Sequence, residues 1–569
     1  MLTILKIHLP TDSPIVGCEL KPYILIRRAD SSVTTEDIQE GSQPEGSQCL
    51  KSRWYRSSNS RKTAVCTIHP SEAATIQCIG CLKSKVATQK SYHCTSKCFV
   101  AAWPDHKTWH ANPTSTGLPC TEDEAPHYLA QGRTSLGSRE GADEWVMVGH
   151  SRAYTPSADD IGHTLKFEVT PCDTNRNVED APSTVNTGRV IPLPNPPTRN
   201  MLPVEGSPTN SSSSRFTVMT YNVLADLYAT SEMYTYTPGW ALSWGYRKQA
   251  LLREILGQRA DIVCLQEVQS DHYEDFFQPE MQKAGYTAVY KMKTAAVYTG
   301  STYTIDGCAT FFRTDRFTLV KKYEVEFNKA ALSLSEALSA ANQKKAALNR
   351  LLKDNVALIV VLDSLEGPDP DASVGKRQLV CVANTHIHAN PELKDVKLWQ
   401  VHTLLKGLEK IAASADIPML VTGDFNSTPG SAPHSLLANG RVDASHPELA
   451  TDPLGILRPP SKLCHQLPLM SAYSSMANPG ISGSIGRSES EKHMRRVDAV
   501  EHEPLFTNHG ADFTGTLDYL FYTANSLVPT KLLELPDKAD VTINGSGMPN
   551  SAWSSDHLAL MAEFQFKTQ

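Results

Sequence analysis

From Phe216 onward the chain repeats one pattern: a short apolar run of strand length, then an abrupt stop at a carboxylate, an amide or an imidazole. Phe216-Thr-Val-Met-Thr-Tyr-Asn222 ends in an amide, Asp261-Ile-Val-Cys-Leu-Gln-Glu267 in a carboxylate, and Leu379-Val-Cys-Val-Ala-Asn-Thr-His386 in an imidazole. Ile417, Met419, Leu420 and Val421 supply a run that stops at Gly423-Asp-Phe-Asn426. Strand alternation there predicts Asp424 and Asn426 on one side and Phe425 on the other. Gly515-Thr-Leu-Asp-Tyr-Leu-Phe521 carries Asp518, and Trp553-Ser-Ser-Asp-His-Leu-Ala-Leu560 carries Asp556 and His557. The pattern predicts an α/β domain, a two-sheet α/β sandwich whose strand ends share one rim. Lys329 to Lys353 has helical spacing, and Lys344, Lys345, Arg350 and Lys353 read as a solvated face, with an RNA path as the alternative.

Ahead of Phe216 the pattern is different. Ser13 to Arg27 and Lys51 to Arg56 alternate as strands, and so do Glu144 to Val148 and Thr164 to Thr170. Between these pairs the cysteines crowd together. Ile191-Pro-Leu-Pro-Asn-Pro-Pro and the four serines of 211–214 break any periodicity, which predicts a linker with a domain border near residue 214. The organisation expected is a β-rich part at 1–62, a zinc finger at 63–112, a flexible loop at 113–143, a second β-rich part at 144–190, a linker at 191–214 and a catalytic domain at 215–569.

Composition narrows the classes. A chain of 569 residues is too long for one core. With 54 basic and 61 acidic residues the net charge is -7, so nucleic acid would be bound by a local patch or by metal cations and not by the overall field. The longest apolar run, Val356 to Leu362, is too short to cross a membrane and reads as a buried strand. Lys6 and His8 interrupt the N-terminal apolar residues, against a signal peptide. A cytoplasmic and nuclear protein with reduced thiols is expected.

Five of the thirteen cysteines fall between Cys66 and Cys98. The ligand pairs are Cys66 with His69, Cys78 with Cys81, Cys94 with Cys98 and His106 with His110. Eight ligands make two tetrahedral structural Zn²⁺ sites. If the pairs interleave, Cys66, His69, Cys94 and Cys98 form one site, and Cys78, Cys81, His106 and His110 the other. The last pair is the weakest member, because surface histidines are common.

The strand ends of the catalytic part suit phosphodiester hydrolysis. That reaction needs oxygen ligands for Mg²⁺, a carboxylate for the attacking water and a donor to the phosphate oxygens. Glu267, Asp424, Asp556 and Asn222 supply hard oxygens, and His557 supplies the donor. No phosphate-binding P-loop, serine elbow or dinucleotide fingerprint competes with this reading.

Several of these motifs resemble known families. Tyr92 and the spacing from Cys94 to His110 resemble the MYND zinc finger, with His69 and His110 where that family usually has cysteines. Trp54-Tyr-Arg and Tyr154 to Leu165 resemble parts of an immunoglobulin-like sandwich, split here by the finger; two unrelated hairpins are the alternative. Tyr-Asn-Val-Leu, Leu-Gln-Glu-Val, Asn-Thr-His, Gly-Asp-Phe-Asn, Thr-Leu-Asp-Tyr and Ser-Asp-His, in that order, resemble the endonuclease/exonuclease/phosphatase superfamily. Ile305 to Phe312, Tyr323 to Asn328 and Asp395 to Gln400 are similar to the carbon catabolite repressor four deadenylases in a plant-like form.

That resemblance implies a Mg²⁺-dependent 3′-to-5′ exoribonuclease that removes poly(A) from mRNA and releases AMP. It implies Glu267 on the principal Mg²⁺ of two, with Asn222 and Asp556 completing the metal shells. Asp424 would be the general acid/base, and His557, oriented by Asp518, would steady the charge on the phosphate. His386, Pro391, Asn426, Asn508 and Phe513 would recognise the substrate, Phe513 by stacking on adenine. MYND fingers bind proline-containing peptides, which implies that this one docks a second deadenylase subunit, where fungal and animal members often carry leucine-rich repeats. The alternatives are another phosphoesterase of the superfamily, acting on lipid phosphate or abasic DNA, and a scaffold with weak nuclease activity.

Overall fold

A computed structural model describes residues 3–27, 33–34, 48–58, 66, 69, 74, 76–77, 92–106, 145–173, 178–179, 181–204, 215–295, 297–299, 302–365, 378–474, 495–543 and 547–567. The chain divides into two compact units, Met1–Pro194 and Asn195–Gln569.

In the first unit, strands from both sides of the cysteine-rich stretch join one sheet. Gln48–Ser57 pairs antiparallel with Trp145–Gly149 on one side and with Thr164–Asp173 on the other, and Ser183–Arg189 extends the sheet. A three-stranded sheet of Thr3–His8, Tyr23–Arg27 and Val33–Thr34 shares its core. Leu20, Ile24 and Ile26 pack there with Trp54, Leu165, Phe167 and Val169. Trp54 is the anchor. Its ring lies 4.9 Å from Phe167 and 5.7 Å from Tyr154, and its Nε1 donates to Arg152 O. Truncating such a residue to alanine costs about 3–5 kcal/mol. Register also places Cys49 opposite Cys172, and the two form a disulfide. The expectation that all thiols stay reduced is corrected here; the pairing depends on a strand register that spacing 123 residues apart cannot show.

The second unit is a four-layer sandwich. Its seven-stranded sheet runs Met201–Pro203, Leu527–Leu533, Leu560–Phe566, Arg215–Asn222, Ile262–Gln269, Asp306–Arg313, Tyr286–Met292. The six-stranded sheet runs Phe317–Glu326, Val356–Ser364, Gln378–His386, Met419–Asp424, Asp518–Thr523, Leu469–Ser471. Their inner faces meet in one core, where Phe216, Val218, Ile262 and Phe564 pack with Leu358, Val360, Val382 and Leu520. The central strands are apolar on both faces because helices cover the outer ones, whereas the edge strand Phe317–Glu326 is largely exposed. Leu251 and Ile255 of helix Trp244–Gln258 cover Tyr221 and Val263. Val401, Leu404 and Leu408 of helix Lys394–Ser414 cover Ala383 and Val421.

Two boundaries differ from the sequence expectation. The border lies between Pro194 and Asn195, not near 214, because Met201–Pro203 forms the edge strand of the catalytic sheet. Proline is tolerated at a sheet edge, where its missing N–H faces no partner. Buried Arg199 fastens the same segment by donating to Glu534 O and Ala559 O at 2.7 Å each. The helix expected over Lys329–Lys353 is two helices, Phe327–Glu336 and Ala341–Leu351. The loop expected at 113–143 lies outside the described residues.

Candidate active site

Register brings the strand ends together. His386, Asp424 and Asp518 are direct partners across three neighbouring strands, His386 opposite Asp424 and Asp424 opposite Asp518. In the other sheet Asn222 ends one strand, and Glu267 lies next to it in the bulge of the parallel strand Ile262–Gln269. A buried amide pair ties the sheets beneath them: Gln266 Nε2 donates to Asn384 Oδ1 at 2.8 Å, and Asn384 Nδ2 to Ala309 O at 2.9 Å. The close approach also needs Gly423, since a Cβ there would lie 1.9 Å from Thr385 O and its φ is +138°.

Asn222 stands between the two sheets' carboxylates. Its Nδ2 donates to Glu267 Oε1 and to Asp424 Oδ2, both at 3.0 Å, while its Oδ1 accepts from Leu224 N. The structure therefore gives it a bridging place; ligation of a cation through Oδ1 requires the amide to turn. Glu267 sits at a bulge with a φ of 57°, a strained conformation that aims its carboxylate inward, where Oε2 accepts from Ala225 N at 2.9 Å. Burial, and then the negative charges of Asp306 and Asp556, raise the Glu267 carboxyl above its ordinary range.

Asp424 is buried and its carboxyl is pushed up to about 7, first by burial and then by Asp518. Oδ1 accepts from Asn426 N at 2.8 Å; Oδ2 lies 3.5 Å from His386 Nε2 and 3.7 Å from His557 Nε2. His557 donates Nδ1 to Asp518 Oδ2 at 2.7 Å. Burial opposes a charged His557 ring, yet Asp518, Asp556 and Asp424 outweigh it and hold the ring well above its ordinary value. Thr507 Oγ1 donates to the same Asp518 oxygen at 2.6 Å. His386 is the opposite case: burial, and then Lys293, hold it well below its ordinary value, so the ring is neutral and its Nε2 accepts from Asn426 Nδ2 at 3.0 Å.

The strand stops at Asp424, yet Asn426 keeps to the side of Asp424 that the alternation predicts, since both reach His386 Nε2. With a φ of 48° it turns its amide to His386 Nε2 and Ile387 O, whereas Phe425 is buried against Tyr519 and Phe521. Asp556 Oδ2 accepts from Asn508 Nδ2 at 3.0 Å and from Tyr234 Oη at 2.9 Å, and its Oδ1 is buried without a partner among the described residues. An orphaned carboxylate oxygen beside raised Glu267 suits a divalent cation. Phe513 is 40% exposed, in the loop between Asn508–His509 and Thr514–Gly515, and lies over Gly515, so it is not a core residue. Pro391 is exposed just ahead of the helix Lys394–Ser414. The motif reading missed Tyr234, Thr507 and the Lys293–Asp306 pair at 2.8 Å, none of which ends an apolar strand in a recognisable word.

In the cysteine-rich stretch, His69 Nδ1 lies 3.9 Å from Cys66 Sγ, 3.4 Å from Cys94 Sγ and 3.3 Å from Cys98 Sγ. The sulfurs of Cys94 and Cys98 are 3.4 Å apart. A tetrahedral zinc with bonds of about 2.0–2.3 Å spaces its ligands roughly 3.5–3.8 Å apart, so the four residues fit Zn²⁺. His106 is buried at the end of the helix Ser96–His106; its expected companions Cys78, Cys81 and His110 lie outside the described residues. No helix among the described residues is long and apolar enough to cross a membrane.

The sequence model of the Endonuclease/Exonuclease/phosphatase family matches residues 219–557. The chain belongs to that family, in its carbon catabolite repressor four branch. It is 53% identical to carbon catabolite repressor protein 4 homolog 1 of Arabidopsis thaliana, over 99% of this chain and 98% of that protein. It is 34% identical to the CCR4-Not complex 3′-5′-exoribonuclease subunit Ccr4 of Schizosaccharomyces pombe, over 63% of this chain and 50% of that protein. Among solved structures, ANGEL2, a 2′,3′-cyclic phosphatase in complex with adenosine-2′,3′-vanadate, is 28% identical with a TM-score of 0.49, covering 65% of this chain and 99% of that one.

Proposed function

We propose that the chain is a Mg²⁺-dependent 3′-to-5′ exoribonuclease that shortens mRNA poly(A) tails, releasing AMP, as the catalytic subunit of a deadenylase complex in cytoplasm and nucleus. The observation that carries this reading is the meeting of Asn222, Glu267, Asp424, Asp518, Asp556 and His557 at one rim of a family nuclease fold. The name of the fission-yeast relative supports the substrate class.

Glu267 and Asp556 would hold Mg²⁺, with Asn222 beside them; when bound, the ion would supply positive charge to the phosphate oxygens and to the attacking water. Asp424, raised to about 7, is suited to take a proton from that water near neutral pH. His557, kept cationic by Asp518, donates to the oxygen on which charge develops. Asn426 and His386 form one hydrogen-bonded edge beside Asp424, and exposed Phe513 offers a stacking surface near Asn508. The test is incubation with Mg²⁺ of an RNA bearing a 3′ oligo(A) tail, of a lipid phosphate and of abasic DNA. Tail shortening with release of AMP supports the reading; hydrolysis of the lipid or the DNA alone contradicts it.

The finger, with Cys66, His69, Cys94 and Cys98 gathered for Zn²⁺, is proposed to dock a proline-containing peptide of the second deadenylase subunit. Co-precipitation of that subunit undiminished by deletion of residues 63–112 would end the idea.

A further inference from the structure

Lys397 is a buried cation that forms no ion pair among the described residues. It stands in the helix Lys394–Ser414, is only 7% exposed, and donates Nζ to Asn426 O at 2.6 Å. The carboxylates around it are engaged elsewhere. Arg350 takes Asp395 through bonds of 2.6 and 2.8 Å, and Glu448 faces Lys394 at 3.3 Å with its other oxygen on Ala432 N at 2.8 Å. An ammonium carries three donors, so two remain.

Burying an unpaired charge is costly, and such a group is retained where a ligand brings the opposite sign. Burial pulls Lys397 below its ordinary value, and Asp424 and then Glu448 oppose that fall; the positive charges gather at its neighbour His388. His388, whose backbone N donates to Gln400 Oε1, is pushed down to about 4 by burial and then by Lys353, Lys397 and Lys293. Lys397 is also connected to the reaction centre. It holds Asn426, Asn426 donates to His386 Nε2, and His386 Nε2 lies 3.5 Å from Asp424 Oδ2. A phosphate would fit this place better than a carboxylate, because its several charged oxygens can engage a lysine and a neighbouring ring or amide at once.

We propose that Lys397, with His388 beside it, forms an anion subsite that takes a second phosphodiester of the RNA, adjacent to the one that is cut. The proposal rests on the exoribonuclease reading and adds a contact that sets how strongly the enzyme prefers a chain over a dinucleotide. It predicts that substrates with one phosphodiester cannot use Lys397, whereas those with two can.

The test compares kcat/KM for ApA and ApApA, with Mg²⁺, in wild type, Lys397→Met and Lys397→Arg. The ratio of ApApA to ApA should fall by about 10-fold or more in Lys397→Met, the size of one charge-assisted hydrogen bond. It should stay within about threefold of wild type in Lys397→Arg, which keeps the charge. Equal loss on both substrates in Lys397→Met would reduce Lys397 to a fastener of the Asn426 loop and overturn the subsite. Wild-type protein inactive on both overturns the nuclease reading instead, so the two failures are distinct.

Discussion

His557 Nδ1 and Asp518 Oδ2 lie 2.7 Å apart, with both side chains buried, and the opposite ring nitrogen of His557 points toward Asp424 Oδ2 at 3.7 Å. The pair fixes both the orientation and the charge of the ring. Asp518→Asn removes the charge and keeps the shape, so kcat on oligo(A) should fall by about 100-fold or more with little change in KM. Near-wild-type turnover would show that His557 does not act as a cation.

Asp424 makes stability depend on pH in the metal-free protein. Its carboxyl is raised to about 7, so between roughly pH 4 and 7 the folded state holds a proton that the unfolded state has lost, and stability falls as pH rises. His557 acts in the same direction: its contribution is complete below its unfolded value near about 6.5 and is lost as pH rises through the raised folded value. In EDTA the melting temperature should therefore decline toward pH 8. Asp424→Asn should melt at least about 2 °C above wild type at pH 8. A variant that melts at or below wild type at pH 8 contradicts the burial argument.

On the proposed reading Glu267 is the carboxylate on which cation binding depends most. Mg²⁺ should raise the melting temperature of wild type, since it binds only the folded site, and Glu267→Gln should lose that increment together with activity. An unchanged Mg²⁺ increment in the variant would move the ion away from Glu267.

Phe513 separates recognition from stability. It is 40% exposed, so Phe513→Ala should leave the melting temperature nearly unchanged. The same change should lower kcat/KM on oligo(A) by roughly 5- to 150-fold if the ring stacks on a base, a contact worth about 1–3 kcal/mol. Activity within about twofold of wild type would remove Phe513 from the substrate path.

The six motifs were legible because each is written locally, as an apolar run with a polar residue before or after it. Their assembly follows from strand pairing, which placed His386, Asp424 and Asp518 side by side. What lay beyond the sequence depends on contacts far apart in the chain. Tyr234 reaches Asp556 across 322 positions, and the Cys49–Cys172 bridge needs the register of two strands. Met201–Pro203 was hidden by its proline-rich surroundings, although an edge strand tolerates them. Asn426 was read by alternation onto the side of Asp424, where its amide meets His386, while its left-handed backbone past the strand end was not legible. Lys397 reads as any helix lysine in the sequence; its burial against Asn426 O depends on a loop 29 residues away.

The most direct measurement is the shortening of A-tailed and U-tailed RNAs of equal length, with Mg²⁺, by wild type and by Asp424→Ala. The account predicts that wild type removes the A-tail, releases AMP and acts far more slowly on the U-tail, and that Asp424→Ala leaves both intact. Equal rates on the two tails would contradict adenine recognition at the Asn426, Asn508 and Phe513 edge, and A-tail shortening by Asp424→Ala at the wild-type rate would contradict the assignment of the reaction to this site.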